Sequence, residues 1–287
     1  MKLLNKDNVK EEMSKKFEPA IVIKPKEKIK VETLDCYGEY LFDKDEKLSN
    51  PATGPIGIKG CEKGDLLKIH IHKINIKNEG FVMTSDKFGY LKNNLDKSIN
   101  KKIKIKNNKA ILNNNVEIPI NPMIGVIGVA PNKKSDNITP KSHGGNMDCK
   151  LITEGSFLYL RANVKYGNIS IGDLHATMGD GEVCVSGLEV SGEVVLSVEI
   201  FKNKKFETPI IENYKLISTI SSKPKINSAL KSASIKMHNY LVNNLNMDKN
   251  DAAILMSIAG DLKICQVVDP WKTARFEIKK DFLEKYL

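Results

Sequence analysis

The sequence predicts a mainly β protein, with a β-sandwich or barrel-like body and an α+β C-terminal part. Short runs rich in Val, Ile and aromatic residues, separated by Gly and Pro, occupy the first two thirds of the chain. Helical spacing of apolar residues begins only near residue 228. We therefore expect a β-rich body over residues 1–220 and an α+β part over residues 221–287. The two parts pack together or form one integrated domain.

Several segments of the body have the pattern of strands. Apolar and polar residues alternate in residues 66–74 (LLKIHIHKI), which predicts a half-buried strand. Residues 124–130 (IGVIGVA) are small, apolar and glycine-containing, which is typical of a strand whose neighbours approach closely. The Lys/Asn/Ile stretch 90–118 also alternates, and this favours a hairpin. Three further extended runs are residues 156–164, 182–190 and 193–201.

The C-terminal part has two predicted helices. Apolar residues recur at helical spacing from Ser228 to Leu245. Asp248 is a suitable N-cap for a second helix over 249–259, which Gly260 ends. Two strands are expected after it, over 262–268 and 274–278.

Composition restricts the class of protein. Five cysteines, odd in number and without a C-x-x-C pair, argue against a disulfide framework and against a zinc ribbon. No apolar run of about 18 residues is present, and the N-terminus lacks the pattern of a signal peptide. We expect a cytoplasmic protein that does not bind membranes.

The positive charge does not indicate a nucleic-acid partner. The formal net charge is +10, yet only two of the 45 basic residues are arginines. Proteins that read bases or clamp phosphates usually depend on the bidentate contacts of arginine. A solvated, lysine-rich surface explains the charge better.

Two glycine-rich segments concentrate the residues that could do chemistry. PKSHGGNMD (140–148) places a His and an Asp around two glycines, and GDLHATMGDGE (172–182) holds four metal-capable side chains. Mixed His and carboxylate ligands suit zinc or a similar ion. Each segment alone is weak evidence, because a His near an Asp is more often a structural pair and Gly-Asp-Gly more often a turn. The strand-like segment between them could bring both loops to the same edge of a sheet.

The same segments resemble the acetamidase/formamidase family, and the likeness covers almost the whole chain. It implies a β-rich fold with an α+β end, a cytoplasmic hydrolase of short-chain amides, and a divalent metal near the His-Gly-Gly loop. The sequence departs from the family pattern at Arg161-Ala162-Asn163, which puts the geometry of that strand in doubt. The segments that carry the resemblance are VETLDCYGE (31–39), NPATGPIGIKGCEKGDLLKIHI (50–71), GVIGVAP (125–131), HGGNMD (143–148), GDLHATMGDGEVCVSGLE (172–189) and ICQVVDPWKTARFEI (264–278).

Given this resemblance, we predict four metal ligands: His143, Asp148, His175 and Asp35. Asp35 is an equally good strand-end residue that bonds backbone amides. Zinc is the expected metal, because it lowers the pKa of bound water toward about 7 and polarises a carbonyl. Manganese and other divalent ions suit the same ligands.

Other residues are predicted to act on the substrate. Glu182 is the expected general base, although it could also bind the metal or pair with a surface lysine. Asn146 and the amides of Gly144 and Gly145 could hold the substrate carbonyl or the oxyanion, and Asn146 could instead be a turn former.

Asp173 and Asp180 are expected to surround the metal's ligands or to bind a second cation, for which oxygen ligands suit calcium. The expected partner is a small amide, and exposed sheet edges favour a homodimer. The competing hypothesis is a metal-stabilised β-sandwich that binds a ligand without catalysis.

Overall fold

The computed structural model describes residues 1–37, 50–204 and 206–286. Gly38 and Glu39, which end the VETLDCYGE segment, lie outside these residues. The strands, in chain order, are Lys2–Leu4 (β1), Val9–Lys10 (β2), Glu12–Met13 (β3), Ile21–Ile23 (β4), Ile29–Thr33 (β5), Ala52–Ile58 (β6), Leu66–Ile76 (β7), Glu79–Thr84 (β8), Ile99–Lys106 (β9), Lys109–Asn113 (β10), Val116–Pro119 (β11), Met123–Val129 (β12), Ser135–Asp136 (β13), Gly144–Asn146 (β14), Phe157–Arg161 (β15), Ile169–His175 (β16), Glu189–Val190 (β17), Gly192–Phe201 (β18), Ile210–Glu212 (β19), Leu216–Lys223 (β20), Asp261–Gln266 (β21) and Lys272–Lys279 (β22). The α-helices are Ile226–Leu245 (α1) and Lys249–Ala259 (α2), and short 3-10 helices cover Lys6–Asn8, Lys92–Asn94 and Lys280–Leu283.

The predicted mainly β architecture is confirmed, and most described strands belong to two large sheets. The first has the order β1-β5-β18-β7-β15-β19-β20-β22-β21. The second runs β11-β10-β9-β8-β17-β16-β12-β14, and β6 joins it beside β16 and pairs with β2 and β4. Side chains of both sheets form one hydrophobic core, which includes Ile69 and Ile71 of the first sheet and Ile127 and Ile171 of the second. Each such buried side chain contributes about 1.5–3 kcal/mol.

The pattern of residues 66–74 is confirmed in β7. Leu67, Ile69 and Ile71 are fully buried, whereas His70 and His72 on the opposite face remain partly exposed. The glycine-containing strand β12 is also confirmed and is buried along its whole length. The stretch 90–118 forms β9, β10 and β11, so it makes two successive hairpins where one was predicted.

The prediction of an extended run over 182–190 is wrong for most of its length. Only Glu189–Val190 forms a strand there. Glu182 and Val185 have positive φ values of 47° and 125°, and the backbone N–H of Gly187 donates back to Glu182 at 2.8 Å. The segment is therefore a loop closed around a carboxylate, which the apolar pattern alone does not show.

The C-terminal helices lie where helical spacing predicts them. The buried face of α1, which includes Ala233, Met237 and Leu241, packs in one cluster with Ile217 of β20 and Phe276 of β22. Asp248 caps α2, because its side chain accepts hydrogen bonds from the backbone N–H groups of Asn250 and Asp251. The helix ends at Gly260. No helix among the described residues has the length and apolar character needed to cross a bilayer.

Strand pairing joins the C-terminal part to the body. The predicted boundary after residue 220 falls inside β20, which pairs with β22 along its full length. Because β20 also pairs with β19 of the body, residues from both predicted parts share the first sheet.

Candidate metal centre and catalytic site

A single buried imidazole lies among four carboxylates. The Nε2 atom of His175 is 3.1 Å from Oε1 of Glu189 and 3.6 Å from Oδ1 of Asp173. It is also 4.0 Å from Oδ1 of Asp148 and from Oε1 of Glu182. One donor atom each of Asp148, His175 and Glu182 lies within 4.8 Å of the other two, and we call these three residues the Asp148 group. The arrangement has the size and donor types of a metal site.

Strand β16 and its neighbours place these side chains. Asp173 and His175 stand two residues apart in β16, and His175 is paired directly with Glu189 of β17. Asp148, Asp173 and Glu182 have φ values of 43°, 55° and 47° in the left-handed region. Such conformations cost about 1–3 kcal/mol and persist only where the surrounding structure enforces them. The backbone therefore bends at three of the acids that converge here.

Gly125 of β12 makes room for this convergence. A Cβ atom at this position would lie 2.5 Å from Oδ1 of Asp148 and 2.6 Å from Oδ2 of Asp173. Only a bare backbone allows both carboxylates to approach the same point.

Replacing Gly125 by alanine is expected to displace both carboxylates. Its φ is not in the left-handed region, so the added methyl group is excluded by space alone. Disturbing the groups that orient metal ligands typically reduces metal affinity by about 10–100-fold, and we expect a loss in that range by calorimetric titration of the metal-free protein. Gly179→Ala is the matched control, because nothing lies within 4 Å of its added Cβ. Equal affinities for the two variants would contradict this role of Gly125.

The site is short of positive charge. Burial raises the pKa of Asp148 to about 7 and that of Glu189 to about 8, and neighbouring carboxylates add to both shifts. Burial likewise raises the pKa of Glu182 and of Asp269 well above their usual range. Burial lowers the pKa of His175, but Glu189 and Asp173 more than reverse this, so the net shift is strongly upward. A bound cation would allow the acids to ionise.

Many polar atoms of the site lack a hydrogen-bond partner among the described residues. Each such buried atom costs about 1–3 kcal/mol unless something binds it. Oxygen atoms and one imidazole suit a divalent ion such as zinc or manganese, so the residues fit a metal. The atoms are Oδ1 and Oδ2 of Asp148, Oδ1 of Asp173, Nδ1 of His175, Oε2 of Glu182, Oε2 of Glu189, Oδ1 of Asn146 and Oδ2 of Asp269.

The site opens into a cavity of about 400 Å³. Asn146 and Asp269 lie in its polar part. Tyr37, Ile138 and Val268 contribute an apolar wall. The cavity thus offers a substrate polar contacts beside the Asp148 group and apolar contacts along its other wall.

A sequence profile of the acetamidase/formamidase family matches the chain over residues 5–137 and 134–274. The chain belongs to the acetamidase/formamidase family. The acetamidase of Bacillus halodurans has 33% identity and a TM-score of 0.95, with 99% of each chain covered. A predicted acetamidase/formamidase of Thermoanaerobacter tengcongensis has 39% identity and a TM-score of 0.94, covering 99% of this chain and 97% of that one.

Similarity to a characterised relative is confined to a short region. The formamidase of Methylophilus methylotrophus is 42% identical over 67 residues, which are 23% of this chain and 16% of that protein. A gamma lactamase from Delftia acidovorans shares the fold, with 21% identity and a TM-score of 0.68.

In this acetamidase/formamidase chain, the histidine of the His-Gly-Gly loop lies outside both potential metal groups of the described residues. His143 is buried, and burial with nearby Lys141 lowers its pKa to about 4. The Gly144 N–H donates to the Lys141 carbonyl at 3.2 Å, and a Cβ on Gly144 would lie 2.2 Å from the Ile127 carbonyl oxygen. Close approach of β12 therefore explains why a glycine stands at position 144. The predicted role of His143 as a metal ligand stays a prediction, as do the oxyanion roles of the Gly144 and Gly145 amides.

Two predicted acids have partners outside the Asp148 group. Asp35 accepts a hydrogen bond from the backbone N–H of Tyr37 at 3.0 Å, which is the arrangement of its strand-end alternative. Asp180 accepts two hydrogen bonds from the guanidinium of Arg275, both 2.8 Å long. These bonds hold Asp180 at a structural ion pair.

Arg275→Met is expected to destabilise the fold strongly. The Arg275 side chain is only 1% exposed and also binds Glu277. Its removal takes the buried guanidinium away from Glu277 and Asp180, which among the described residues keep only the partly exposed Lys263 and Lys150. Breaking a buried ion pair typically costs about 3–5 kcal/mol. Urea denaturation measures the loss. Arg161→Met is the control, because Arg161 donates only to backbone carbonyls near the surface. A smaller loss for Arg275→Met than for Arg161→Met would contradict the prediction.

Sequence analysis did not identify three residues of the site. Glu189 is a single acid between Leu188 and Val190. A charged residue inside an apolar run is the one sequence feature that could have marked it as part of the site. Asp269 directly follows the predicted strand over 262–268. Cys36 is one of the five cysteines and follows the predicted ligand Asp35. Each comes from a different element, so sequence spacing does not bring them together.

Proposed function

We propose that this chain hydrolyses the carbon–nitrogen bond of a small amide to release ammonia and a carboxylate, with a divalent cation held by Asp148, His175 and Glu182. The observation that carries the proposal is the buried Asp148 group, whose carboxylate oxygens include unpartnered atoms and whose Glu182 lines the cavity. Family membership supports the reaction class, since the matched proteins include a formamidase and an acetamidase.

A cation bound at this group would supply an activated water and polarise the amide carbonyl. Glu182 is suited to move the proton. Its Oε1 is anchored by the Gly187 N–H at 2.8 Å, whereas its Oε2 has no partner among the described residues. Burial raises its pKa, so it can both accept a proton and deliver one to the departing nitrogen.

Asn146 and Asp269 are suited to orient the substrate. The Oδ1 atom of Asn146 is a buried acceptor without a partner among the described residues. The –NH₂ group of a primary amide supplies donors for such an acceptor. The apolar wall formed by Tyr37, Ile138 and Val268 accommodates a short acyl group.

A reducing, cytoplasmic location fits the cysteines of the chain. All five are free thiols, and four of them are buried. Disulfides would be expected in a secreted protein more often than in a cytoplasmic one. The homodimer and the absence of a nucleic-acid partner stay predictions.

The test is an ammonia-release assay on formamide, acetamide and propionamide, before and after chelation, with metal content measured in parallel. We expect turnover that chelation removes and that zinc or another divalent ion restores. Turnover that persists in metal-free protein would overturn the metal-dependent mechanism. Metal-loaded protein that releases no ammonia from any amide would support the non-catalytic binding module.

A further inference from the structure

A second set of potential ligands lies beside the Asp148 group. One donor atom each of Cys36, Asp173 and Glu189 lies within 4.8 Å of the other two, and we call these residues the Cys36 group. All three side chains are buried. They come from the segment after β5, from β16 and from β17, and they share no residue with the Asp148 group. Convergence of three separate elements places a thiol and two acids at one point.

Two atoms of the Cys36 group lack partners that protein groups would normally supply. Oδ1 of Asp173 and Oε2 of Glu189 accept no hydrogen bond from the described residues. Both residues are only 2% exposed, and both line the cavity. Buried carboxylate oxygens almost always have a hydrogen-bond partner in native proteins. The lack of a partner at these two oxygens therefore indicates a bound group that the polypeptide does not provide.

Charge balance gives the same indication. One dication would neutralise Asp148 and Glu182 of the first group. Asp173 and Glu189 would then remain as buried acids close to a single imidazole, with His175 Nε2 at 3.6 Å and 3.1 Å. Buried charges are normally paired or bound to metals. A second divalent cation would neutralise both Asp173 and Glu189.

We propose that the Cys36 group binds a second divalent cation, with zinc-like preference, next to the cation of the Asp148 group. A thiolate is a soft ligand that favours zinc or cobalt over calcium and magnesium. This distinguishes the site from the oxygen-only calcium site expected from Asp173 and Asp180. Because His175 Nε2 contacts acids of both groups, the two cations are neighbours, as in two-metal hydrolytic centres whose ions lie about 3.5–4 Å apart.

The proposal is tested with cobalt(II) as the probe, added to the full-length chain after chelation. We expect two cobalt ions per chain at saturation and a thiolate-to-cobalt charge-transfer band in the near ultraviolet. Cys36→Ser should abolish the band and reduce binding to one ion. Glu189→Gln should also reduce binding to one ion, and it serves as a second variant should Cys36→Ser fail to fold by circular dichroism. Cys184→Ser is the matched control, because Cys184 belongs to neither group, and it should keep the band.

A native protein that shows no thiolate band at saturation, or a band that survives Cys36→Ser, would overturn the proposal. Asp148→Asn separates this result from the proposed function, because it should remove the other cation and leave the band in place. Loss of the band in Asp148→Asn would also count against a separate second site. Two bound ions with the expected band would support the Cys36 group even if no amide were hydrolysed.

Discussion

Replacing Asp148 by asparagine should remove the cation of the Asp148 group and abolish ammonia release. Neither carboxylate oxygen of Asp148 accepts a hydrogen bond from the described residues, so both are available to a metal. The substitution keeps the shape of the side chain but removes its charge and one of its two acceptor oxygens. Metal content by elemental analysis and turnover on a small amide measure the two effects.

The control for this variant is Asp261→Asn. The Asp261 side chain is 67% exposed and, among the described residues, forms an ion pair only with Lys263. A surface ion pair is worth about 1 kcal/mol or less. Native metal content and turnover are expected for it. An Asp148→Asn variant that retains its full metal content and turns over normally would show that Asp148 is structural.

Replacing Glu182 by glutamine should reduce kcat by about 10²–10⁴-fold, the range for removing a general acid–base group. Glutamine keeps the acceptor that binds the Gly187 N–H, so the loop is expected to keep its shape. It has no carboxylate to take the proton of water. We expect the cation to stay bound through Asp148 and His175, so that metal content changes little.

Glu117→Gln is the control for this variant, since Glu117 is half exposed on β11 and its one ion pair within the described part of the chain is with Lys109. Normal turnover of Glu182→Gln would contradict its role in proton transfer. Loss of the metal together with turnover would show that Asp148 and His175 do not hold the cation without Glu182, and would require another group to act as the base.

Much of the fold follows from local patterns in the sequence. The alternation around Ile69 and Ile71, the helical spacing of α1 and the cap at Asp248 each depend on neighbouring residues, and the structure confirms all three. The prediction of an extended run over 182–190 is wrong because its apolar residues have the composition of a strand, while a positive φ at Glu182 bends the chain into a loop. Composition does not report that bend.

The candidate site was predictable only where its residues cluster in the sequence. Asp148, Asp173, His175 and Glu182 stand in two glycine-rich segments and do come together in space. Asp180 stands in the same segment but is held by Arg275, 95 residues away in the chain. Such distant partners are fixed by strand pairing, which a single sequence does not reveal.

The approach of Glu189, Asp269 and Cys36 has the same origin. Glu189 and Asp269 are single acids in or beside apolar runs, and Cys36 follows the predicted ligand Asp35, so no local pattern joins the three residues. Glu189 reaches His175 only because β17 pairs with β16.

The most direct test of the central claim is anomalous X-ray diffraction from crystals soaked in zinc, recorded on both sides of the zinc absorption edge. An anomalous peak within bonding distance of Asp148, His175 and Glu182 is the predicted result. Well-ordered side chains at these three residues, with zinc bound elsewhere and no peak between them, would contradict the claim that they hold a metal.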